Sequence, residues 1–187
     1  MTAAVPTPEP TSVPAPEETQ VKARSSGSAR FKQGMRALTS GVTVIGAYGP
    51  DGSPMAMTAT AVSSLTADPP SLLVCVNRSA SMAPALVKNA RFSVNVLAAD
   101  QIDVAKAFGG QLAVRGTGRF IYGNWHRVDD AEVPLLTGSR VSFECEVSHV
   151  HDWATHHIVI GTVLDVHFSN KSGKSLVYTD GKYAEVG

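Results

Sequence analysis

The run RVSFECEVSHV, residues 140–150, constrains the fold of this chain more than any other stretch. Val141, Phe143, Cys145 and Val147 alternate with Ser142, Glu144, Glu146 and Ser148. That is the period of a half-buried antiparallel strand, apolar on one face and polar on the other. Similar runs recur along the sequence: VTVIGAY (42–48), PMAMTATAVSS (54–64), SLLVCVN (71–77), RFSVNVL (91–97), HHIVIGTVLDVHF (156–168) and SLVYTDGKYAEV (175–186). GPDGS joins the first two as a hairpin turn, and Asp180-Gly181 marks another. Helical signals are short and inserted between strands. Ser28 is a predicted N-cap for a helix carrying Phe31, Met35 and Leu38 on one face, ended by Gly41. SMAPALVKN (81–89) predicts a second short helix capped by Ser81, and a third follows at about 100–108. Residues 109–139 are Gly-rich and loop-like, and no internal repeat is present. Many strands with few inserted helices predict a mainly β fold, a closed or split β-barrel rather than a doubly wound sheet.

Composition limits the partners. With 187 residues, 43% of them apolar, the chain can bury one core, so one domain is expected. Residues 1–27 carry five prolines and few large apolar side chains, which predicts a disordered Pro-rich tail before a domain spanning 28–187. Formal charge is zero and the Lys and Arg residues are scattered, which argues against nucleic acid as a partner. No apolar run reaches the roughly 18 residues that a membrane span needs. Cys75 and Cys145 lie in apolar runs and read as buried free thiols. No secretory signal pattern opens the chain, so a cytoplasmic location is expected.

Between residues 57 and 81, MTATAVSSLTADPPSLLVCVNRSAS holds eight Ser or Thr hydroxyls and only two charges, Asp68 and Arg78. Small hydroxyls are ordinary on strands and turns. The alternative is a cradle for a flavin or nucleotide, whose polar ring edge and phosphate both need several donors. In NRSAS (77–81), Arg78, Ser79 and Ser81 would meet a phosphate at the mouth of the predicted helix. No GxGxxG or Walker loop occurs.

Four histidines, His149, His151, His156 and His157, surround Trp153 at the junction of two strands. His149 and His151 would supply only half a metal site, and no spaced cysteine joins them, so no metal is expected. His156 opens a strand after a tight turn, where its ring would sit at a barrel rim, placed to donate to a ligand or shuttle a proton. FGGQLAVRGTGRF (108–120), with four glycines and two arginines, is either a flexible loop or a lid over a cofactor. Tyr178 suits core packing, whereas Tyr183 is a candidate to stack on a ring.

The order of FKQGMRALTSGVTVIGA, MTATAVSSLTADPPSLLVCVN, RFSVNVL, the FGG loop with its later RF, and THHIVIGTV resembles the short-chain NAD(P)H:flavin reductases. Its pattern is most similar to the reductase component of 4-hydroxyphenylacetate 3-monooxygenase, and it runs from about Phe31 to Val186. The resemblance implies a split-barrel homodimer of the flavin-reductase type, with FMN or FAD at the subunit interface. It implies NADH or NADPH as hydride donor and a separate flavin-dependent monooxygenase, acting on an aromatic substrate, as the recipient of reduced flavin. It places Thr58, Thr60, Ser63 and Ser64 along the isoalloxazine edge and ribityl chain. Asn77, Ser79 and Ser81 fall on ribityl and phosphate positions, and Phe108 borders the cofactor tail. The family histidine falls on His156, in an Ala-Thr-His triplet where many relatives have Gly-Asp-His. Two other readings share the barrel: a flavin-binding domain without reductase activity, and a pyridoxamine-phosphate oxidase relative. The second is weakened by the single cation, Arg78, in NRSAS.

Overall fold

A computed structural model describes residues 25–126, 132–169 and 173–187. The expected tail therefore lies outside the described residues up to residue 24. Helix α1 (Ser25–Arg36) begins ahead of Ser28, which sits inside the helix rather than capping it. The backbone is already helical at Ser25, so Ser28 lacks the non-helical backbone that an N-cap has. The helix also ends before Gly41. Ala37 and Leu38 donate to the carbonyls of Gly34 and Met35, tightening the last turn, and Gly41 is then drawn into strand β1 (Ser40–Gly41).

The sheet follows β2 (Thr43–Tyr48), β3 (Pro54–Ala59), β4 (Val62–Ala67), β5 (Pro70–Asn77), β6 (Arg91–Val96), β9 (Val141–Trp153) and β10 (His156–Phe168). Their order is β3-β2-β6-β9-β10-β5-β4, antiparallel at every pairing. β3 and β4 are thus the two outer strands, yet only Thr60 and Ala61 separate them in the chain. A flat seven-stranded sheet places its edges roughly 28 Å apart at the ordinary interstrand spacing. Two linking residues, three Cα–Cα steps, reach at most about 11 Å. The sheet must curl until its edges meet, and the split barrel follows from that connection. The stretch expected as one strand over 54–64 is consequently two strands with the barrel seam between them.

Two bulges help the curl. In the β9–β10 ladder Ile160 pairs with His149 and Gly161 with Val147, leaving Ser148 extra; further on, Val163 pairs with Cys145 and Asp165 with Glu144, leaving Leu164 extra. Each extra residue bends its strand and adds twist.

β2 is buried on both faces, which is why TVIGAY reads as a continuous apolar run. Ile45 and Ala47 enter the barrel interior with Val74, Val76, Phe92, Val94, Cys145, Val147 and Val159. Val42 and Val44 join the second cluster, with Leu97, Phe108 and Leu176. That cluster forms under helix α2 (Ile102–Phe108) and the hairpin of β11 (Ser175–Thr179) and β12 (Lys182–Val186). The hairpin turns through Asp180 and Gly181 at φ 49° and 77°, the pair of left-handed residues a type I′ turn requires. β7 (Trp125–His126) and β8 (Leu135–Leu136) form a small separate ladder.

At the start of β9 the polar side is the better covered: Ser142 and Glu144 are buried, whereas Val141 and Phe143 are only half-buried. Ser142 Oγ donates to Asn95 Oδ1 at 2.8 Å, and the Leu136 amide donates to the same oxygen at 3.0 Å. Asn95 Nδ2 reaches Val44 O at 3.1 Å and Ser93 Oγ at 3.0 Å. This fully bonded asparagine ties the β8 segment onto the sheet and satisfies the polar atoms that burial exposes to cost.

Both cysteines are free. Cys145 is fully buried, and desolvation, helped by the neighbouring Glu144 charge, pushes its thiol up to about 12. Cys75 is only half-buried, less than the sequence suggested.

Gly161 is the tightest point of the barrel. A Cβ there would collide with the ring of fully buried Phe92, meeting Cε1 at 2.7 Å, and would press on Cys145 Cβ at 3.2 Å. Gly161→Ala should therefore destabilise the protein by about 1–3 kcal/mol through overpacking, read from urea unfolding midpoints. Adding Phe92→Leu should cost less than the sum of the two single changes, because it removes the colliding ring.

Candidate functional site

The seam carries the hydroxyls the sequence singled out. Thr58 lies on β3, Thr60 in the two-residue link, and Ser63 and Ser64 on β4. Every β4 residue after Val62 is exposed, and among the described residues the strand pairs only with β5. Its outer edge therefore offers backbone amides and carbonyls beside serine hydroxyls, the donor and acceptor mixture a flat polar ring edge needs. Thr58 also has a partner within the fold. Its Oγ1 donates to Ala105 O at 2.8 Å and fastens α2 to the barrel.

NRSAS does not open a helix of the expected length. After β5 there is only a single 3₁₀ turn, Ala83–Ala85, whose N-cap is Met82. Pro84 sits in the first turn, where it is tolerated, but Leu86 (φ −97°, ψ 58°) leaves the helical region directly after Ala85 and ends the turn. Asn77 organises the stretch instead: its Oδ1 accepts from the Ser79 amide at 2.9 Å and from Ser79 Oγ at 2.8 Å. That turn sends Ser81 and Arg78 to different places. Ser81 lines a cleft of about 280 Å³ with Ser53, Pro54, Phe108, Thr117 and Arg119, whereas Arg78 lines another with Lys88, His149 and His157.

Arg119 is the cation of the Ser81 cleft, and sequence reasoning left it inside a loop. It sits in the 3₁₀ segment Gly116–Ile121, half-buried, with Nε donating to Val114 O at 3.3 Å. Among the described residues no carboxylate pairs with it. Phe108 forms the wall rather than an exposed border. It is buried edge-to-face against Phe120 (5.0 Å) and Trp125 (5.3 Å), and those rings also meet at 5.1 Å. β3 joins the parts, since Pro54, Met55 and Ala56 line the cleft and Thr58 follows on the same strand toward the seam.

His156 stands across the ladder from Asn77, directly after the turn at Ala154 (φ 47°). Its ring is exposed, and Nδ1 contacts Thr155 Oγ1 at 2.9 Å. Thr155 thus engages Nδ1, and among the described residues no hydrogen bond engages Nε2.

The chain matches the flavin reductase like domain over residues 35–187. It belongs to the flavin reductase family. It is 39% identical over 153 residues to an FMN reductase (NADH) RutF of Stutzerimonas stutzeri (strain A1501), covering 82% of this chain and 85% of that protein. A second RutF, from Variovorax paradoxus (strain S110), is 36% identical over 158 residues, covering 84% and 85%. Among solved structures, BorF, the flavin reductase component of a bacterial two-component tryptophan halogenase, superposes with a TM-score of 0.76 at 33% identity. That match covers 85% of this chain and 98% of BorF.

Within this flavin reductase fold, most of the residues expected at the cofactor fall into three groups. Thr60, Ser63 and Ser64 lie on the seam, and Ser81 and Phe108 lie in the adjoining cleft with Arg119 and Thr117. Asn77, Ser79 and His156 cluster where β5 meets β10. Arg78 and Tyr183 are in neither the seam nor the Arg119 cleft. Tyr183 packs edge-to-face on Tyr178 at 5.2 Å and receives a 3.4 Å hydrogen bond from Gln111 Nε2. Burial, then Tyr178, pushes its phenol above the usual range, and the Gln111 bond pulls the other way. Of the four clustered histidines, none joins a group of mutually close potential metal ligands. The group of that kind among the described residues is Glu144, Asp165 and His167, at the Leu164 bulge.

Thr58→Val should cost about 0.5–1.5 kcal/mol, the usual value of one hydrogen bond. The larger penalty of an orphaned acceptor is avoided, because Ala105 O still receives the Gly109 amide. A shifted urea midpoint at unchanged slope would show this.

Proposed function

We propose that this protein is an NAD(P)H:flavin oxidoreductase that takes FMN or FAD, draws its hydride from NADH or NADPH, and hands reduced flavin to a separate monooxygenase acting on an aromatic compound. The observation that carries the reading is the Arg119 cleft. A half-buried guanidinium with no carboxylate partner among the described residues faces the same space as the Ser81 and Thr117 hydroxyls, and β3 leads from there to the open edge of β4. A phosphate suits that donor set, and a flavin ring edge suits β4. Relatives named as NADH-dependent FMN reductases, and a solved relative that is the reductase half of a two-component system, support the same conclusion.

The chemistry a bound flavin supplies is acceptance of hydride from a dihydronicotinamide. The protein contributes position and surroundings. Arg119, Ser81 and Thr117 anchor the phosphate end, and the β4 edge with Ser63 and Ser64 fixes the ring. His156, held at Nδ1 by Thr155, presents Nε2 to orient the nicotinamide carboxamide or to pass a proton.

A second copy of the chain completes the arrangement. The apolar stripe of α1 lies uncovered, with Phe31, Met35 and Leu38 at 67%, 47% and 57% exposure, and Trp153 at the β9–β10 tip is 67% exposed. Such a stripe is normally buried against something, and a homodimer brings a partner surface to it. No helix among the described residues is long and apolar enough to cross a membrane. Two free cysteines fit the reducing cytoplasm, where the dinucleotide pool resides.

Anaerobic stopped-flow with NADH and NADPH against FMN and FAD tests the activity, and rapid bleaching of flavin absorbance with one pair is the expected result. His156→Ala should slow the bleaching by about 10- to 100-fold while leaving flavin affinity nearly unchanged. Arg119→Gln should do the reverse, weakening flavin binding by about 10- to 100-fold through loss of a charge-assisted contact. Equal losses in both quantities for both variants would overturn the division of roles.

A further inference from the structure

The cleft that receives Arg78 is separate from the Arg119 cleft and has its own chemistry. It encloses about 520 Å³, within the roughly 300–1,000 Å³ typical of small-molecule sites. Its floor comes from the segment after β5, with Ala83 and Leu86 buried and Val87 58% exposed. Its rim holds Arg78 and Lys88, with His149 and His157 on the neighbouring strands.

The cations are free to meet a ligand. Among the described residues, neither Arg78 nor Lys88 is in an ion pair, and the single hydrogen bond of the Arg78 guanidinium is a long one, 3.5 Å to Ala154 O. The carboxylate near this rim, Asp152, is already engaged, its Oδ1 lying 2.5 Å from His157 Nδ1. An apolar floor beside two unneutralised cations selects against both a neutral apolar molecule and a bare inorganic anion. The first leaves the charges unmatched, and the second leaves the floor in water.

We propose that this cleft binds a small amphipathic carboxylate, its aromatic or branched aliphatic body on Leu86 and Val87 and its carboxylate on the Arg78 fork with Lys88 alongside. A planar guanidinium takes a carboxylate through two parallel hydrogen bonds, which fixes the orientation of the body over the floor. The site lies on the far side of the Asn77 turn from Ser81, so it does not depend on the reductase reading.

Titration of the full chain with benzoate, followed by calorimetry and by amide shifts of labelled protein, tests the proposal. Benzamide is the neutral isostere and inorganic phosphate the bare anion. The expected result is saturable binding of one benzoate per chain, with shifts centred on Arg78, Val87, His149 and His157, and affinity at least about tenfold above that of benzamide or phosphate. Arg78→Gln and Val87→Glu should each weaken benzoate by about tenfold, and both side chains are exposed, so folding is not at stake. Binding of benzamide or phosphate as tight as benzoate would overturn the proposal, as would shifts centred on Arg119. Absence of saturable binding would also overturn it. So would a change of oligomeric state on Val87→Glu, which would assign the face to a second copy of the chain.

Discussion

The rest of this structure depends on the shortness of one connection. Thr60 and Ala61 carry the chain from one outer strand of a seven-stranded sheet to the other. No flat sheet can satisfy that link, so the barrel, its bulges and its dense interior follow together. Curling brings β5, β10 and β6 around a common axis, where Phe92 fills the space that Gly161 leaves open. At the seam β3 and β4 are not paired with each other, so the barrel stays split there. That split supplies the open backbone edge on which the proposed ring site is built.

Burial of polar groups is managed differently in the two halves of the molecule. Around Asn95 the groups are enclosed and all bonded, and they hold the β8 segment rigidly against β6 and β9. Along β4 the hydroxyls are left exposed with only local partners, such as Ser63 Oγ to Ser64 O at 3.2 Å. Satisfied networks rigidify, whereas exposed donors remain available to a ligand. A reader counting hydroxyls in the sequence sees one class of residue; the fold makes Ser142 part of a network and Ser63 part of a surface.

That difference explains what was legible beforehand. The strands, the two glycine turns and the barrel class were readable because period-2 alternation and turn chemistry are local properties. The helix predicted over 81–89 shrinks to a single turn, because the backbone leaves the helical region at Leu86, which nothing in the local sequence announces. Arg78 was assigned to the Ser81 site on proximity in sequence, but the Asn77-centred turn sends these neighbours into different clefts. The place of Arg119 in the Ser81 cleft was hidden for the converse reason. It reaches Ser81 only through tertiary folding of a Gly-rich loop, and its signal in the sequence was simply one of two arginines in that loop. The burial of Ser142 and Glu144 on β9 was equally out of reach, since what covers a strand is a long-range fact.

The charge economy of the Arg119 cleft bears on the proposed transfer of reduced flavin. A charge-assisted hydrogen bond contributes about 1.5–3 kcal/mol, and hydroxyl contacts contribute about 1 kcal/mol each. A phosphate held by one guanidinium and a few hydroxyls is therefore bound firmly enough to position a ring, but without the cluster of cations that would hold it against exchange. Each further arginine would slow release by roughly tenfold or more for every 1.4 kcal/mol it added. Had Arg78 shared the cleft with Arg119, as its place in the sequence suggested, the site would have gained affinity at the expense of release. The turn at Asn77 keeps the two cations apart, and that separation suits a protein whose product leaves for a partner.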